Sequence, residues 1–397
     1  MGGEFISVSE AKNLIDKYTG LLNPVIVPLI DAGGHVLSED VFSKTDVPPF
    51  NQSSMDGYAL NYSHWKQFGE LDLKGEAAAG SRQLAPLEPG QAVRIFTGAP
   101  VPEGADTVVM QERTRVDAGK LIVEDENLAE GLNFRPKGIE IKAGALAMEA
   151  GSFLTPAALG YLAGVGVSEV SVYPKPSITV ILTGNELQVP GEPLQYGQVY
   201  ESNSFTLKAA LIQTVAEIDF LVVEDTLLKL TAVLAYALEK SDVVLLTGGV
   251  SVGDYDFVIR AAEANRVDQV FHKIRQKPGK PLFFGKRDEK IVFGLPGNPA
   301  SVLSCFYEYV LPCLGRMSKR ETALESLRVP LNMALKKPAG LTQFLKGHYD
   351  GKTVSGLKAQ ESFRLSSFAK ANCLIILEEY RTDYTENELV EIHMLPE

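Results

Sequence analysis

The sequence predicts a multidomain protein of α/β and β type, built around a doubly wound α/β domain. Three observations support this prediction. Beyond residue 176, apolar strands alternate with helical segments, which is typical of a mostly parallel sheet. Between residues 46 and 144, short β-rich runs are separated by Pro and Gly, and from about Leu327 the chain turns β-rich again. A length of 397 residues allows roughly two to four domains.

The N-terminal half is predicted to begin with a helix and to continue with short strands. Ser7 and Glu10 have the spacing of a capping box, and the apolar residues after them fall on one helical face. A second helix is predicted from Thr155, as N-cap, to Gly164, with Pro156 at its first position. The predicted strands are Ala92–Phe96, Thr107–Gln111, Leu121–Val123 and Glu169–Tyr173.

The α/β domain is predicted from three strands, each followed by a polar loop. These strands are Ile178–Leu182, Val243–Leu246 and Ile291–Phe293, and the helices Phe257–Ala264 and Ala300–Leu311 follow the second and third of them. Pro174-Lys175-Pro176 marks the expected boundary before this domain. Because ligands of such sheets bind beyond the carboxyl ends of the strands, we expect the three loops to meet at one edge.

The loop Thr247–Asp256 is the most informative of the three. Its glycines allow close approach of a ligand to the backbone, and it leads into a helix N-terminus suited to an anion. Asp254 and Asp256 add carboxylates, so the loop fits a phosphate held together with a cation such as Mg²⁺. Glu186 is a further candidate at the same edge. A turn or helix-capping role remains the plain alternative for each of these acids.

A basic cluster stands out in a chain with a formal net charge of −12. Lys273, Arg275, Lys277 and Lys280 lie within eight residues, and prolines stiffen the segment around Lys280. Such lysines attract an anion against the field of an acidic protein, although a solvated charged face has the same pattern. The turn Leu295–Pro299 leads into a helix start that suits an oxyanion or serves helix initiation alone.

Composition and motifs exclude several classes of protein. The negative charge argues against a nucleic-acid binder, and no apolar stretch approaches the roughly 18 residues of a membrane span. The N-terminus lacks the pattern of a signal peptide, so we expect a cytoplasmic protein. Cys305, Cys313 and Cys373 are interpreted as reduced core thiols. The histidines show no metal-ligand spacing, and neither a P-loop nor a Gly-x-Ser-x-Gly motif occurs.

Taken together, the motifs resemble one family along nearly the whole chain. The segment Ser54-Met55-Asp56-Gly57-Tyr58-Ala59 is similar to the hallmark of the molybdopterin molybdenumtransferases, the MoeA family, which also occurs as the E domain of gephyrin. Six further motifs follow in the family's order: Arg94–Pro102, Gln111-Glu112, Thr183–Leu187, Thr247–Asp256, Lys277–Pro281 and Leu295–Pro299.

The resemblance implies an enzyme and a homodimer. The implied reaction is the last step of molybdenum cofactor synthesis, in which adenylylated molybdopterin and molybdate give the cofactor and AMP with a divalent cation, here taken as Mg²⁺. The cleft would lie between the molybdopterin-binding α/β domain of one subunit and the β-rich domain of the other. A transient contact with molybdopterin adenylyltransferase is implied as well, whereas nucleic acid and membrane are not expected as partners.

The resemblance also assigns roles to individual residues. The implied catalytic residues are Asp56, Thr97, Glu186, Asp225 and Asp256, and Glu186 and Asp256 are the implied metal ligands. The implied substrate-binding residues are Gly248, Gly249, Ser251, Gly253, Lys273, Lys277, Lys280, Pro296, Asn298, Pro299 and Ser366, with Ser367 and Arg364 as further contributors from the terminal domain.

Four domains are expected from the resemblance and the sequence pattern. They are a discontinuous linking and dimerisation domain (1–45 and 145–174), a β-rich inserted domain (46–144), the molybdopterin-binding domain (175–326) and a C-terminal, β-barrel-like domain (327–397). The chain departs from the family pattern at Ile139-Glu140, Glu201, Leu341, Lys346 and Glu361. These departures affect the last domain most, so molybdate binding there is the weakest part of the prediction.

Three alternatives stay open at this point. A binding or scaffold protein can retain the fold, as gephyrin does, but this chain carries no long linker or fused domain. A molybdopterin adenylyltransferase would be smaller and would lack both the Ser54–Tyr58 loop and the terminal domain. A paralogue that prefers tungstate is also compatible, because the two oxyanions have nearly the same size and charge.

Overall fold

The structure is a computed structural model, and it describes residues 5–82, 84–212, 214–249 and 257–396. The chain divides into two compact units. One contains the N-terminal residues up to Val25 and everything from Tyr173 onward, and the other contains Ile26–Val172. This division is coarser than the four expected domains, whose boundaries stay a prediction. No helix within the described ranges is long and apolar enough to cross a bilayer.

The first helix, α1 (Val8–Tyr18), begins where the sequence predicts it. The backbone N–H of Ser7 donates to Glu10 Oε2 at 2.7 Å, and the N–H of Glu10 donates to Ser7 Oγ at 3.2 Å. This capping box satisfies two N–H groups that the helix itself leaves without acceptors. Ala11 and Ile15 are buried against the core of the α/β sheet, so the helix packs on that sheet.

The unit Ile26–Val172 is rich in short strands, as the sequence predicts. In chain order, its elements are β1 (Val25–Pro28), β2 (Val36–Leu37), β3 (Val41–Phe42), β4 (Gln52–Ser53), β5 (Gly57–Leu60), α2 (Tyr62–Phe68), β6 (Glu70–Ala77), β7 (Gln91–Ile95), β8 (Thr107–Met110), β9 (Thr114–Asp117), β10 (Lys120–Val123), β11 (Phe134–Arg135), β12 (Leu146–Met148), α3 (Pro156–Gly164) and β13 (Glu169–Tyr173). The N-cap of α3 is Thr155, as predicted.

A six-stranded sheet with the order β8-β5-β7-β6-β10-β9 forms the centre of this unit. Successive residues of β5 face opposite cores: Ala59 packs in one cluster and Leu60 in the other. A Cβ on Gly57 would lie 1.9 Å from the carbonyl oxygen of Val109, so β5 can approach β8 closely only with glycine there. Gly57 therefore fixes the position of Asp56, the residue directly before β5.

The α/β region alternates strands and helices. Its elements are β14 (Ile178–Thr183), β15 (Leu187–Gln188), β16 (Val199–Tyr200), α4 (Asn203–Leu211), β17 (Ile218–Val223), α5 (Leu227–Lys240), β18 (Val243–Thr247), α6 (Phe257–Ala264), β19 (Asp268–Lys273), β20 (Gln276–Lys277), β21 (Pro281–Arg287), β22 (Lys290–Leu295), α7 (Pro299–Cys305) and α8 (Leu311–Met317). A π-helical turn, Phe306–Val310, joins α7 to α8, so the last helix runs further than the sequence predicts.

The main sheet has the order β17-β14-β18-β22-β21-β19. Its first four strands are parallel, and β21 and β19 add an antiparallel edge. Helices α4 and α7 cover one face, and α5 and α6 cover the other, each with its own buried core. The prediction of a mostly parallel, doubly wound sheet is confirmed, but the antiparallel edge was not predicted.

The terminal region is β-rich, as predicted. Its elements are β23 (Ser326–Pro330), β24 (Leu335–Lys336), β25 (Thr342–Tyr349), β26 (Val354–Gly356), α9 (Leu365–Phe368), β27 (Cys373–Leu377), β28 (Asp383–Tyr384) and β29 (Leu389–Met394). The strands pair in the order β20-β25-β27-β29-β23, and β26 pairs with β25. A bridge between Leu331 and Val354 connects the end of β23 to β26, which closes the ring into a small barrel.

Candidate functional site

One cavity of about 1000 Å³ lies at the carboxyl ends of the parallel strands. Its walls come from several loops of the α/β region and from two segments of the terminal region. The lining residues include Thr183, Gly184, Glu186, Asn203, Asp225, Thr247, Gly248, Gly249, Gln276, Lys277, Pro278, Gly279, Lys280, Pro296, Gly297, Asn298, Pro299, Leu341, Gln360, Ser362, Phe363 and Leu365. The loops that the sequence places at one edge of the sheet therefore share one cavity.

The glycines after β18 pack against the neighbouring strand. Gly248 has a φ of +85°, and a Cβ there would lie 2.5 Å from the carbonyl oxygen of Thr183. The hydroxyl of Thr183 donates to the carbonyl of Thr247 at 3.2 Å. Gly248 is thus required by the contact between β14 and β18 as well as by its place in the cavity wall. The rest of this loop, with Ser251, Gly253, Asp254 and Asp256, lies outside the described residues.

An acidic pair, Glu186 and Asp225, lines the cavity. Asp225 is half-buried, its Oδ1 atom is shielded from solvent, and this oxygen has no hydrogen-bond partner among the described residues. Burial, and then the negative charge of Glu186, raise the pKa of Asp225 above its ordinary value. A carboxylate in this state gains from a proton or a cation, because burying an uncompensated charge is costly.

Two buried polar residues, Gln276 and Tyr309, stabilise the lysine segment, residues 273–281. Gln276 is almost fully buried, and its Nε2 donates to the carbonyl of Gly279 at 2.8 Å while the hydroxyl of Tyr309 donates to its Oε1. A Cβ on Gly279 would lie 2.5 Å from Cys305 Sγ, so only glycine fits at that point. Sequence reasoning missed Gln276 and Tyr309, because nothing local marks two distant polar residues as buried partners.

The lysines of this segment have no acidic partners in the part of the chain that the structure describes. Among the described residues, no carboxylate lies within ion-pair distance of Lys273, Lys277 or Lys280, although the protein is acidic overall. Lys277 and Lys280 line the cavity, whereas Lys273 is not among its lining residues. The Nζ atoms of Lys273 and Lys280 lie 5.8 and 5.6 Å from the ring centre of Phe5. Uncompensated ammonium groups in a cavity favour an anionic ligand.

The turn before α7 is tied to its surroundings by hydrogen bonds. The N–H of Ala300 donates to the carbonyl of Ser362 at 3.0 Å, and those of Ser301 and Val302 donate to the carbonyl of Asn298 at 2.9 and 3.0 Å. These three N–H groups therefore have protein acceptors already. The helix start therefore fits the alternative of helix initiation alone, and its binding of an oxyanion stays a prediction.

Asn203 at the start of α4 was not predicted. It is 9% exposed, lines the cavity and donates from Nδ2 to the carbonyl of Gly297 at 3.1 Å. Its buried Oδ1 has no partner in the described part of the chain. Glu201, one of the departures from the family pattern, accepts from the N–H of Ser204 at 2.9 Å. The side chain of Glu201 therefore satisfies one N–H of the first turn of α4, whose N-cap residue is Ser202.

In the terminal region, the residues that line the cavity differ from those that the resemblance implies. Ser366 is exposed and does not line the cavity, and Ser367 is buried and donates to the carbonyl of Ala359 at 2.7 Å. Arg364 pairs with Glu361 at 3.1 Å. Ser362, which lines the cavity, accepts a hydrogen bond from Asn298 at 2.9 Å.

Asp56 and Thr97 form a cluster in the other unit. Asp56 Oδ1 accepts from the hydroxyl of Thr97 at 2.6 Å and from its N–H at 2.8 Å, and these bonds lower the pKa of Asp56. The guanidinium of Arg94 lies 4.6 Å from the ring centre of Phe96 and donates to the carbonyl of Gly57 at 2.7 Å. The carboxylate is thus held ionised and in one orientation.

The three cysteines are free and buried, in agreement with the sequence-based interpretation. Burial raises the pKa of Cys305 and of Cys313 to about 12 and that of Cys373 to about 11. Thiols with such pKa values are poor nucleophiles at neutral pH. Within the described ranges, no group of three or more His, Cys, Asp or Glu side chains could hold a metal ion.

Three protein-family models match the chain in succession. The MoeA N-terminal region (domain I and II) matches residues 6–166, the probable molybdopterin binding domain matches 179–316, and the MoeA C-terminal region (domain IV) matches 328–395. The chain belongs to the MoeA family. This assignment confirms the resemblance recognised in the motifs and the multidomain α/β and β fold class.

Similarity to molybdopterin molybdenumtransferases supports the MoeA assignment. Molybdopterin molybdenumtransferase from Haemophilus influenzae is 37% identical over 373 residues, which cover 92% of each chain. Molybdopterin molybdenumtransferase 2 from Mycobacterium tuberculosis is 32% identical over 387 residues, covering 94% of this chain and 95% of the relative. The whole MoeA architecture is therefore shared with these transferases.

Solved structures show the same similarity. A molybdopterin biosynthesis MoeA protein from Pyrococcus horikosii aligns with a TM-score of 0.84 and 30% identity, covering 98% of this chain and 99% of its own. A second MoeA structure, from Pyrococcus horikoshii OT3, aligns with a TM-score of 0.78 and 27% identity, covering 99% and 100%. The fold thus matches along the full length of both chains.

Proposed function

We propose that this MoeA family transferase inserts molybdenum from molybdate into adenylylated molybdopterin and releases AMP. The observation that supports this most directly is the mixed charge of the cavity. Lys277 and Lys280, which lack acidic partners among the described residues, line the same space as Glu186 and Asp225. A substrate with a pyrophosphate, a dianionic oxyanion and a divalent cation needs both kinds of side chain in one place.

The lysines suit the anionic parts of the substrates. Each ammonium is a mobile point charge with three donors, and two of them on a stiff Pro-Gly segment can follow phosphate or molybdate oxygens. The buried support from Gln276 keeps the segment in place before the substrate arrives, so less ordering is needed on binding. On this proposal, Lys277 and Lys280 stabilise the charge that develops on the leaving AMP when the phosphoanhydride is cleaved.

The acidic pair fits a divalent cation. The buried, partnerless Oδ1 of Asp225 and the nearby charge of Glu186 are hard oxygen donors, and Mg²⁺ prefers one or two carboxylates completed by phosphate oxygens and water. When bound, the cation would neutralise the phosphate oxygens and favour departure of AMP. Asp225 thereby joins Glu186 and Asp256 as a proposed ligand, whereas the family resemblance implies only a catalytic role for it.

Asp56 and Thr97 keep the role that the resemblance implies, as a proposal. Their hydrogen bonds prepare a fixed, ionised carboxylate that can accept from a ligand donor or join the cation's coordination. Dimerisation, the contribution of Asp56 across the dimer, the transient contact with molybdopterin adenylyltransferase and a cytoplasmic location also remain proposals.

The test is an AMP-release assay with the purified full chain, adenylylated molybdopterin and Mg²⁺. We expect AMP to appear only when molybdate is added, and a parallel reaction with tungstate measures the preference between the two oxyanions. Asp256→Asn should abolish AMP release while the fold survives. Lys277→Met should weaken molybdate binding, whereas Lys286→Met, in a lysine that pairs with Glu289 away from the cavity, should not. Absence of oxyanion-dependent AMP release by the wild-type protein would refute the proposal.

A further inference from the structure

The terminal region contributes a loop to the cavity wall, and that loop is organised around a buried lysine. Gln360, Ser362 and Phe363 line the cavity. Lys346, on β25 behind them, is 4% exposed and is not a lining residue. An ammonium group this deeply buried must direct its hydrogen bonds to protein acceptors, because water cannot satisfy them.

The acceptors of Lys346 all belong to this loop. Its Nζ donates to the carbonyls of Ala359 at 2.8 Å, Arg364 at 3.1 Å and Glu361 at 3.3 Å. The backbone of Lys346 also bonds Gln360 twice, since its N–H donates to Oε1 at 3.0 Å and its carbonyl accepts from Nε2 at 2.8 Å. Lys346 therefore bonds four of the six consecutive residues 359–364.

The loop is in turn attached to the turn before α7. Ser362 accepts from Asn298 Nδ2 through its hydroxyl at 2.9 Å and from the N–H of Ala300 through its carbonyl at 3.0 Å. Asn203 holds the other side of that turn through the carbonyl of Gly297. Lys346 bonds Gln360 and Glu361, and their neighbour Ser362 bonds the turn before α7, so Lys346 is connected to that turn through one short stretch of backbone. The family resemblance implies that Pro296, Asn298 and Pro299 of this turn bind the oxyanion.

We infer that Lys346 is a positioning residue that sets the terminal wall of the oxyanion end of the cavity. This inference rests on the proposed function of the same cavity. Lys346 touches no substrate; it acts through residues 359–364 and Ser362. Its loss should leave the lysines and the acidic pair in place and make the wall mobile. We therefore expect weaker binding of molybdate at nearly unchanged turnover.

The test compares Lys346→Met with Lys346→Arg in the full-length protein. The methionine variant should raise both KM and the calorimetric Kd for molybdate about tenfold, with kcat within about a factor of two. Hydrogen exchange of the amides at 359–364 should accelerate by a similar factor. The arginine variant, which keeps a charged donor, should restore most of the affinity and protection.

Two further variants separate positioning from general stability. Ser367→Ala removes a smaller support of the same loop, the bonds to the carbonyls of Ala359 and Arg364, and serves if Lys346→Met does not fold. Val390→Ala removes buried volume from the terminal core without touching the loop. We expect Ser367→Ala to weaken molybdate binding and Val390→Ala not to, at a comparable loss of Tm.

The inference is overturned if loop exchange accelerates in Lys346→Met while molybdate Kd stays at the wild-type value, or if Val390→Ala weakens binding equally. Because Kd and hydrogen exchange need no turnover, these results are independent of AMP release. Failure of the wild-type protein to release AMP would instead count against the proposed function.

Discussion

Asp56 and Asp225, two aspartates with implied catalytic roles, differ in their surroundings. Asp56 is exposed, but two hydrogen bonds from Thr97 lower its pKa. Asp225 is half-buried with a partnerless oxygen, and burial and Glu186 raise its pKa. Partners, more than residue type, decide which form a carboxyl group takes. The lowered pKa of Asp56 favours its ionised form, whereas the raised pKa of Asp225 favours binding of a proton or a cation.

Glu308 shows that burial alone does not decide the direction of the shift. Its side chain is 1% exposed, and it pairs with Lys12 at 2.6 Å and with His393 Nδ1 at 2.6 Å. Burial by itself would raise the pKa of Glu308, but the bond with His393 and the charge of Lys12 outweigh it, so the pKa is lowered. Asp225 has no such partners within the described ranges, and a bound cation would supply the missing positive charge.

The largest expected effect comes from Asp225→Asn. The substitution removes the charge proposed to hold the cation, so AMP release should fall roughly 1000-fold, about 4 kcal/mol of transition-state stabilisation. Its Tm should not fall, because repulsion with Glu186 disappears. Asp219→Asn, an exposed aspartate on the preceding strand β17, is the matched control and should keep full activity. An active Asp225→Asn enzyme would remove Asp225 from the proposed cation site.

The second prediction concerns the partnered carboxylate. His393→Leu leaves Glu308 with Lys12 alone, so the free energy of unfolding should fall by about 3 kcal/mol, as for other buried pairs that lose one member. Chemical denaturation measures this change. Lys336→Met, at an exposed pair with Asp383, should cost less than about 1 kcal/mol. Equal losses in the two variants would contradict the importance of burial.

The same pair makes stability depend on pH in a defined direction. The bonds with Glu308 raise the pKa of His393 against the effect of burial, so its contribution is complete below about pH 6.5 and is lost as pH rises through the folded-state value. The pKa of Glu308 is lowered, so its contribution is complete above about pH 4.3 and is lost as pH falls through the folded-state value. His393→Leu should abolish the loss of stability on the alkaline side.

Cation binding provides the third prediction. The pKa of Asp225 is raised, so just above about pH 3.9 the native state still binds a proton that the unfolded state has lost. The free energy of unfolding therefore falls as the pH rises from about 3.9 through the folded-state pKa. Mg²⁺ should offset this loss, by about 2.7 kcal/mol at a hundredfold excess over Kd. Thermal unfolding should therefore show a larger Mg²⁺ effect at about pH 8 than at about pH 4. Asp225→Asn should remove the difference.

The smallest effect is expected at the hydrogen-bonded aspartate. Thr97→Val deletes the hydroxyl that contributes most to the low pKa of Asp56, while the backbone N–H remains. The pKa of Asp56 should rise toward its ordinary value, and the acid limb of the pH–activity profile should move up with it. Thr97→Ser keeps the hydroxyl and should not shift the profile. A carboxyl titration by NMR measures the pKa directly.

Sequence patterns predicted the loops that line the cavity better than the buried polar residues that hold these loops in place. Strand–loop–helix order placed Glu186, Gly248 and Asn298 at one edge of the sheet, and the structure brings them to one cavity. Gln276 and Tyr309 were missed because their hydrogen bond joins residues 33 positions apart. Asn203 was missed because an asparagine at a helix start has an ordinary capping explanation.

The terminal region was the least predictable part for a physical reason. The family resemblance implied roles for Ser366, Ser367 and Arg364, but small changes in the backbone path of a six-residue loop change which side chains face the cavity. The path here is set by Lys346, whose acceptors are backbone carbonyls and leave no trace in side-chain sequence. Burial of a lysine is also rare enough that sequence reasoning assigns it to the surface.

The lysine segment has one further property, which concerns how the chain can be cut and recombined. Strand β20 carries Lys277, yet it pairs with β25, and Gln276 and Lys277 align with Thr342 and Gln343. The sheet therefore extends across the sequence boundary that separates the second and third family regions. A chimera that takes its terminal region from a relative also replaces β25, the strand that pairs with β20 and holds the backbone of Lys277. Junctions for domain exchange should keep residues 275–277 and 342–343 from the same parent.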